Sequence, residues 1–322
     1  MSRYAEAHQS PKGPGDARPT AFQIIQDEDL IGKLTGKIIL ITGANQGIGL
    51  ETARALYQTG ATTIFLGTSL PLPRPQPSGL CKSWKCPSTT FPPSAKARRI
   101  FLSKSNGTLN FLINNAGIMA QTKAKPVDGF ESQFATNHLG HLLLFQLLKP
   151  ALLASATPAC ASRVVAVSSM AHRASDIRFD DVNFDEEGSY EPYTAYGQSK
   201  TANIYLSNET ERRYGASPGL HSTSLHPGAI LTSMAASQNV DVEAVKANLG
   251  EEKFNQLMGL LKNPRAGRRD HRLRCPVGEQ WWEVPQRLRR GRSRGRGGVH
   301  AGVDGSRVTR RGLTMWKKLR GL

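Results

Sequence analysis

Not one Asp or Glu stands between Thr68 and Thr108, in a chain that carries 25 acidic residues overall. Over 68–99 the six Lys and Arg go uncompensated, and seven prolines interrupt any helical or strand period. That segment therefore admits no helix or strand from its pattern. Cysteine is scarce as well. Cys81, Cys86, Cys160 and Cys275 are the only four in 322 residues, and none makes a CxxC pair. This excludes a disulfide scaffold and a zinc-type cluster, and reads as free thiols in a reducing compartment. Long apolar runs are missing too. The greasiest stretch, Leu142 to Leu153, is broken by Gln146, Lys149 and Pro150, well short of the roughly 20 residues that span a bilayer. The first twenty residues lack the apolar centre of a secretory leader. These absences lead to the expectation of a soluble, cytoplasmic protein with no membrane contact.

What is abundant is positive charge. A formal net charge of +17 suggests a nucleic-acid binder, but its distribution argues otherwise. Residues 262–322 carry a net +14 and residues 68–99 a net +6, which leaves −3 for everything else. The body is near neutral, so no specific nucleic-acid partner is expected. At 39% hydrophobic residues, the chain is sufficient for one large core.

Along the chain, a polar leader (1–36) precedes KIILIT (37–42), a short apolar β-type run followed by a glycine-rich turn. Leu50, Ala53, Leu56 and Tyr57 then recur at helical spacing until Gly60, and TTIFLG (62–67) reads as a second strand. Strand, turn, helix, strand is one βαβ unit and implies a parallel sheet. After the Pro-rich insert come a strand at 109–114, a long apolar helix near 128–154 with Asp128 at its start, and a strand at 163–169. A helix from Tyr193 to Tyr214 and a strand entering a turn at 220–228 complete a domain over 37–264. From 265 to 322 the sequence is Arg/Gly-rich and aperiodic.

Two patterns carry chemistry. In TGANQGIG (42–49) the strand-before, helix-after context suits a dinucleotide: Gly43 permits a sharp turn, and Gly47 and Gly49 let the backbone approach a pyrophosphate at a helix N-terminus. Tyr196 and Lys200 lie four apart on one helical face. A cation beside a phenol would bring its pKa down from about 10, towards general acid/base use. His138 and His141 share a helix face, but no carboxylate or cysteine completes a metal set, so no metal is expected and both read as packing residues.

The TGxxxGxG spacing, NNAG (114–117), Asn137 in TNHLG, Ser168-Ser169, the Tyr196/Lys200 pair and Pro227-Gly228 occur in the order of one family. The chain resembles the short-chain dehydrogenases/reductases, nearest their retinol-dehydrogenase-like and WW-domain-oxidoreductase-like branch. The resemblance implies a single α/β domain, a Rossmann-type doubly wound parallel sheet of order 3-2-1-4-5-6-7. It implies hydride transfer between NADP (or NAD) and a carbonyl or alcohol of a small apolar substrate; the sequence leaves the assembly open, with a homodimer among the candidates. It assigns catalysis to Asn137, Ser169 (the second serine of the pair), Tyr196 and Lys200. It assigns cofactor contacts to Gly43, Asn45, Gln46, Gly47, Ile48, Gly49, Asn114, Ala116, Gly117, Tyr196, Lys200, Pro227, Gly228, Ile230 and Thr232. His226 would shape the turn near the nicotinamide.

The chain also departs from that family. Where a residue should read the ribose 2′ position, Thr68 and Ser69 lead into Pro71, and Arg74 is the nearest cation. No acidic pair follows the third strand, and the last strand is not evident after 265. The genetic code offers an origin: Trp281-Trp282-Glu283 must be encoded TGG TGG GAR, and one base forward this reads Gly-Gly followed by Lys or Arg, a strand-like match to the branch. As written, the sequence is expected to lose edge strands three and seven, with 68–99 and 268–322 unpacked. The alternative to an active dehydrogenase is thus a catalytically impaired relative with weak or no cofactor binding.

Overall fold

The computed structural model describes residues 4, 6–68, 81–85, 95–119, 122–124, 129–216, 219–230, 246 and 250–262. Six parallel strands form one sheet in the order β3-β2-β1-β4-β5-β6. They are β1 (Ile38–Thr42), β2 (Thr63–Thr68), β3 (Cys81–Lys85), β4 (Phe111–Asn114), β5 (Ser162–Val167) and β6 (Leu220–Leu225). The helices are α1 (Ala21–Asp27), α2 (Gly47–Tyr57), α3 (Ala95–Lys104), α4 (Ser132–Phe134), α5 (Gly140–Ser155), α6 (Pro192–Tyr214) and α7 (Glu251–Leu260), with a π-helical segment, Ala135–Leu139, joining α4 to α5. The sheet is Rossmann-type and doubly wound, as expected.

Alternation along the strands explains the two layers. Ile39, Ile41, Ile64, Leu66, Ile113 and Val165 pack with Ala53 and Leu56 of α2 on one face. Leu40, Phe65, Leu112 and Val164 pack with Phe101 of α3, Phe145 and Leu148 of α5 and Leu206 of α6 on the other. A period of two in a strand sends neighbours to opposite faces. Covering both faces makes β1 buried along its whole length, which is why it reads as a continuous apolar run.

The expected loss of strand three is corrected. β3 pairs with β2 in parallel, from Ile64 opposite Cys81 to Thr68 opposite Lys85. The prolines that obscured it flank Cys81–Lys85 and none falls inside, so every backbone N–H that the ladder needs is present. α3 likewise begins at Ala95, within the segment expected to be unpacked. Strand seven, the tail 268–322, Arg74 and Asp128 lie outside the described residues. Glu131, rather than Asp128, caps the long helix, its buried carboxylate accepting from Gln133 N (2.9 Å) and Phe134 N (2.7 Å).

The leader contains a helix its polar composition did not announce. α1 is capped by Thr20, whose hydroxyl accepts from Gln23 N at 3.2 Å. Its Ala21 and Ile25 pack on Ala55 of α2. Cys160, read above as a free thiol, is disulfide-bonded; thiol spacing in a chain does not foretell which sulfurs meet in space. Among the described residues no helix is long and apolar enough to cross a membrane.

Candidate active site

The residues singled out gather at the C-terminal edge of β1, β4, β5 and β6, around the point where the strand order reverses between β1 and β4. At β1, Gly43 turns with φ +64° and donates its N–H to Gly67 O at 2.7 Å. A Cβ there would sit 2.7 Å from Ala116 Cα, and one on Gly49 would sit 2.5 Å from both Asn115 Nδ2 and Gly43 O. The turn 43–49 and the loop 115–117 are therefore pressed together in a way only glycine allows. Gln46, extended at φ −157°, opens α2 without a side-chain cap. The residues of this cradle fit a dinucleotide: a tight turn, close backbone and an uncapped helix start.

Thr42 holds the two sides of the cradle. Its hydroxyl accepts from Asn115 N (2.9 Å) and Ala116 N (3.0 Å), and contacts His141 Nε2 at 2.9 Å. His141 Nδ1 lies 2.9 Å from Asn137 O. A carbonyl can only accept, so Nδ1 carries the proton and Nε2 accepts from Thr42. Burial holds His141 neutral, its pKa pushed down to about 3, with the nearby Lys200 and His138 charges in the same direction. His141 thus couples the glycine turn to Asn137, a role that helix-face periodicity did not reveal.

Asn137 sits in the π-helical segment. Its Oδ1 accepts from Ile118 N (2.8 Å), and its Nδ2 donates to Ile118 O and Ser199 Oγ (both 2.9 Å). Asn115 emerges as a site residue that the sequence reading missed, donating through Nδ2 to Thr42 O at 2.8 Å. Asn114, assigned to the cofactor instead, ends β4 with neither side-chain amide atom hydrogen-bonded. The two residues are adjacent and identical, and only strand alternation separates them.

The serine pair is resolved by geometry. Ser168 is buried and its Oγ donates to Lys200 O at 2.8 Å, tying β5 to α6. Ser169 is partly exposed, and its hydroxyl, which accepts from Ala171 N at 3.2 Å, stands close enough to the Tyr196 phenol to favour its ionisation. Lys200 is buried, donates Nζ to Val167 O at 3.1 Å, and lies 5.4 Å from the centre of the Tyr196 ring. A Cβ on Gly117 would approach that Nζ to 3.6 Å. Burial lowers the Lys200 pKa to about 8.

The phenol behaves differently from expectation. Burial raises the Tyr196 pKa to about 12, opposed by the Ser169 hydroxyl and assisted by Tyr193. Helical spacing suggested a cation beside the hydroxyl; the structure puts the ammonium over the ring instead, where it does little to offset desolvation.

Beyond β6, His226 Nδ1 accepts from Met170 N at 3.2 Å, which joins this turn to the residue after Ser169. Pro227, Gly228 (φ +97°) and Ile230 follow at the same edge, and Thr232 lies outside the described residues.

Residues 37–180 match the family model described as short chain dehydrogenase. The chain is 46% identical over 260 residues to the short-chain dehydrogenase/reductase prx1 of Penicillium roqueforti, covering 79% of this chain and 74% of that protein. The chain belongs to the short-chain dehydrogenase/reductase family. This makes it an oxidoreductase of the nicotinamide-dependent kind. Human retinol dehydrogenase 11 is 37% identical over 63% of this chain and 64% of its own length, in keeping with the branch suggested by the motifs. A solved structure of an uncharacterized Mycobacterium paratuberculosis protein is 34% identical, covers 66% of this chain and 73% of that one, and superposes with a TM-score of 0.51.

The buried histidines of this dehydrogenase predict an acid-labile fold. His138 is held at about 4 and His141 at about 3, both by burial. Unfolding returns both to about 6.5. Between those limits the unfolded chain binds more protons, so stability is intact above pH 6.5 and falls as pH drops. The slope is about 1.4 kcal/mol per pH unit per histidine. Urea denaturation at pH 7 and pH 5 should show that loss, and a His138→Gln/His141→Gln double variant should flatten it. An equal slope in the double variant would refute the assignment.

Proposed function

We propose that this chain reduces a carbonyl of a small apolar molecule, or oxidises the corresponding alcohol, with NADP as the preferred cofactor. The observation that carries the reading is the partly exposed Ser169 hydroxyl placed by a buried Tyr196 phenol, where it favours the ionised form, beside a cradle that glycines alone can form. The preference for NADP over NAD rests on the branch resemblance. The cofactor, held by the 43–49 turn, the 115–117 loop and the 227–230 segment, supplies the hydride when bound.

The protein's part follows from its own groups. Ser169 donates a hydrogen bond to the substrate oxygen and fixes its position. Tyr196 gives its phenolic proton to that oxygen as the carbonyl carbon becomes tetrahedral, leaving phenolate. A pKa near 12 keeps the proton on the phenol at neutral pH and still below that of an aliphatic alkoxide, which suits a donor. Lys200, tied to Val167 O, lies over the ring 5.4 Å from its centre, where its charge gives the phenolate only weak support. Asn137 fixes Ile118 and Ser199 around it, and Ser199 Oγ donates to Tyr196 O at 2.7 Å.

The two serines offer a test of these roles. Ser169→Ala is expected to lower turnover by about 10²–10³ with the fold intact. Ser168→Ala is expected to lower the thermal midpoint and leave turnover per folded molecule nearly unchanged. The reverse pattern would contradict the assignment. The reading as a whole is tested by NADPH fluorescence titration, followed by NADPH consumption with a panel of apolar ketones and aldehydes. A saturable signal with turnover supports it; a flat titration favours the impaired relative.

A further inference from the structure

Arg18 and Lys262 lie 244 positions apart in the sequence, yet they form one clasp over the turn that follows β6. Arg18 is 5% exposed although it belongs to the polar leader. Its guanidinium pairs with Asp16 at 2.8 Å and donates to Gly13 O (3.1 Å), Leu260 O (3.1 Å), Gly259 O (3.4 Å) and Leu261 O. Three of those carbonyls end α7, where unsatisfied acceptors and the negative end of the helix dipole favour a cation. Asp16 also accepts from Lys12 N (2.9 Å) and Arg18 N (3.0 Å), and against desolvation the Arg18 guanidinium first, then these two bonds, hold its pKa at about 2.

Directly after those carbonyls, the chain docks on the turn. Lys262 N donates to Ala229 O at 2.8 Å, Ile230 and Lys262 form a parallel bridge, and Lys262 Nζ donates to Pro227 O at 3.2 Å. The lysine stem crosses Gly228 so closely that a Cβ there would lie 2.7 Å from Cε and 2.8 Å from Nζ. Lys262 therefore ties down Pro227, Gly228, Ala229 and Ile230 together, from backbone and side chain, at 9% exposure.

We propose that Lys262 is a positioning residue for the segment 227–230, and that Arg18 holds Lys262 in place by fixing the end of α7. The inference rests on the reading above that this segment faces the nicotinamide end of the cofactor. The leader is then a working part of the cofactor site, acting in series: Arg18 on α7, Lys262 on the turn, the turn on the nicotinamide.

The test uses the full chain, with NADPH as the probe, in Lys262→Met, Arg18→Gln and the double variant. Met keeps the apolar stem and removes the donor. Three quantities are read: the Kd for NADPH, the emission maximum of the bound reduced nicotinamide at saturation, and the thermal midpoint. Lys262→Met is expected to weaken NADPH binding about tenfold and to return the saturated emission towards that of free NADPH. A purely structural role would lower the midpoint without moving that emission. Arg18→Gln is expected to act in the same direction, and the double variant to bind no worse than Lys262→Met, because serial elements do not add. If Arg18→Gln fails to fold, Lys262→Met alone decides the positioning role. Unchanged Kd and emission in Lys262→Met would overturn the proposal. Fully additive effects would remove Arg18 from it. If the unaltered chain gives no saturable NADPH signal, the underlying cofactor reading fails instead.

Discussion

Tyr196→Phe is expected to reduce turnover by about 10²–10⁴ while NADPH affinity and fold stay intact. The ring is buried at 7% exposure and sits against Tyr193 with centres 6.1 Å apart, and both contacts survive the change. Only the hydroxyl is lost, and with it the proton donor. Ser169 beside it is partly exposed and its hydroxyl accepts from Ala171 N at 3.2 Å, so removing the phenol leaves no buried partner unpaired. The midpoint should therefore stay where it is or rise slightly, because a phenol no longer has to be desolvated. Steady-state rates with a substrate that the panel identifies, beside thermal unfolding, decide the matter. More than about a tenth of the original turnover in the Phe variant would remove Tyr196 from the proton-transfer role.

Gly43→Ala is expected to have the second large effect, on stability and cofactor binding together. At φ +64° an L-residue costs about 1–2 kcal/mol. The new Cβ would meet Ala116 Cα at 2.7 Å, a backbone atom that cannot rotate away, and overpacking of this kind costs about 1–3 kcal/mol more. Relief requires the 115–117 loop to retreat from the turn, which opens the cradle and breaks the bonds Thr42 makes to Asn115 and Ala116. Gly107→Ala separates the two causes. It has φ +73° and open space around its Cβ position, so it bears backbone strain alone. The expected result is a lower midpoint in both variants, and a loss of NADPH binding in Gly43→Ala only. Equal NADPH binding in the two would mean that the turn does not form the cofactor cradle.

Local patterns account for much that was legible. The glycines at 43, 47 and 49 are readable because a turn entering a helix is a matter of a few neighbouring torsions. The tyrosine and lysine of α6 are readable because a helix repeats every 3.6 residues. β1, β4 and β5 announced themselves as apolar runs because both of their faces are covered. β3 did not: as an edge strand, CKSWK carries two lysines and no apolar alternation, and the prolines beside it hid the five residues that pair. Edge strands are commonly charged, so hydrophobic pattern is a poor guide to them.

Adjacent like residues marked the limit of that legibility. Ser168 and Ser169, or Asn114 and Asn115, are indistinguishable by type. Ser168 was set aside on resemblance alone, whereas the structure separates the serines by what each faces: Lys200 O for the first, the Tyr196 phenol for the second. For the asparagines, the first, which the resemblance assigns to the cofactor, has a buried amide with no hydrogen bond, while the second ties the loop to Thr42.

By itself, then, the sequence determined the parallel βαβ unit, the glycine turn after β1 and the Tyr196/Lys200 pair, since each depends on torsions and periodicities within about twenty residues. Tertiary structure alone decided the remainder. It set His141 between Thr42 and Asn137, it raised rather than lowered the Tyr196 pKa, and it brought Arg18 to the end of α7 and Lys262 to Gly228. Those outcomes are contacts and desolvation between segments far apart in the chain. Their energies depend on distance and burial in three dimensions, which no local spacing encodes.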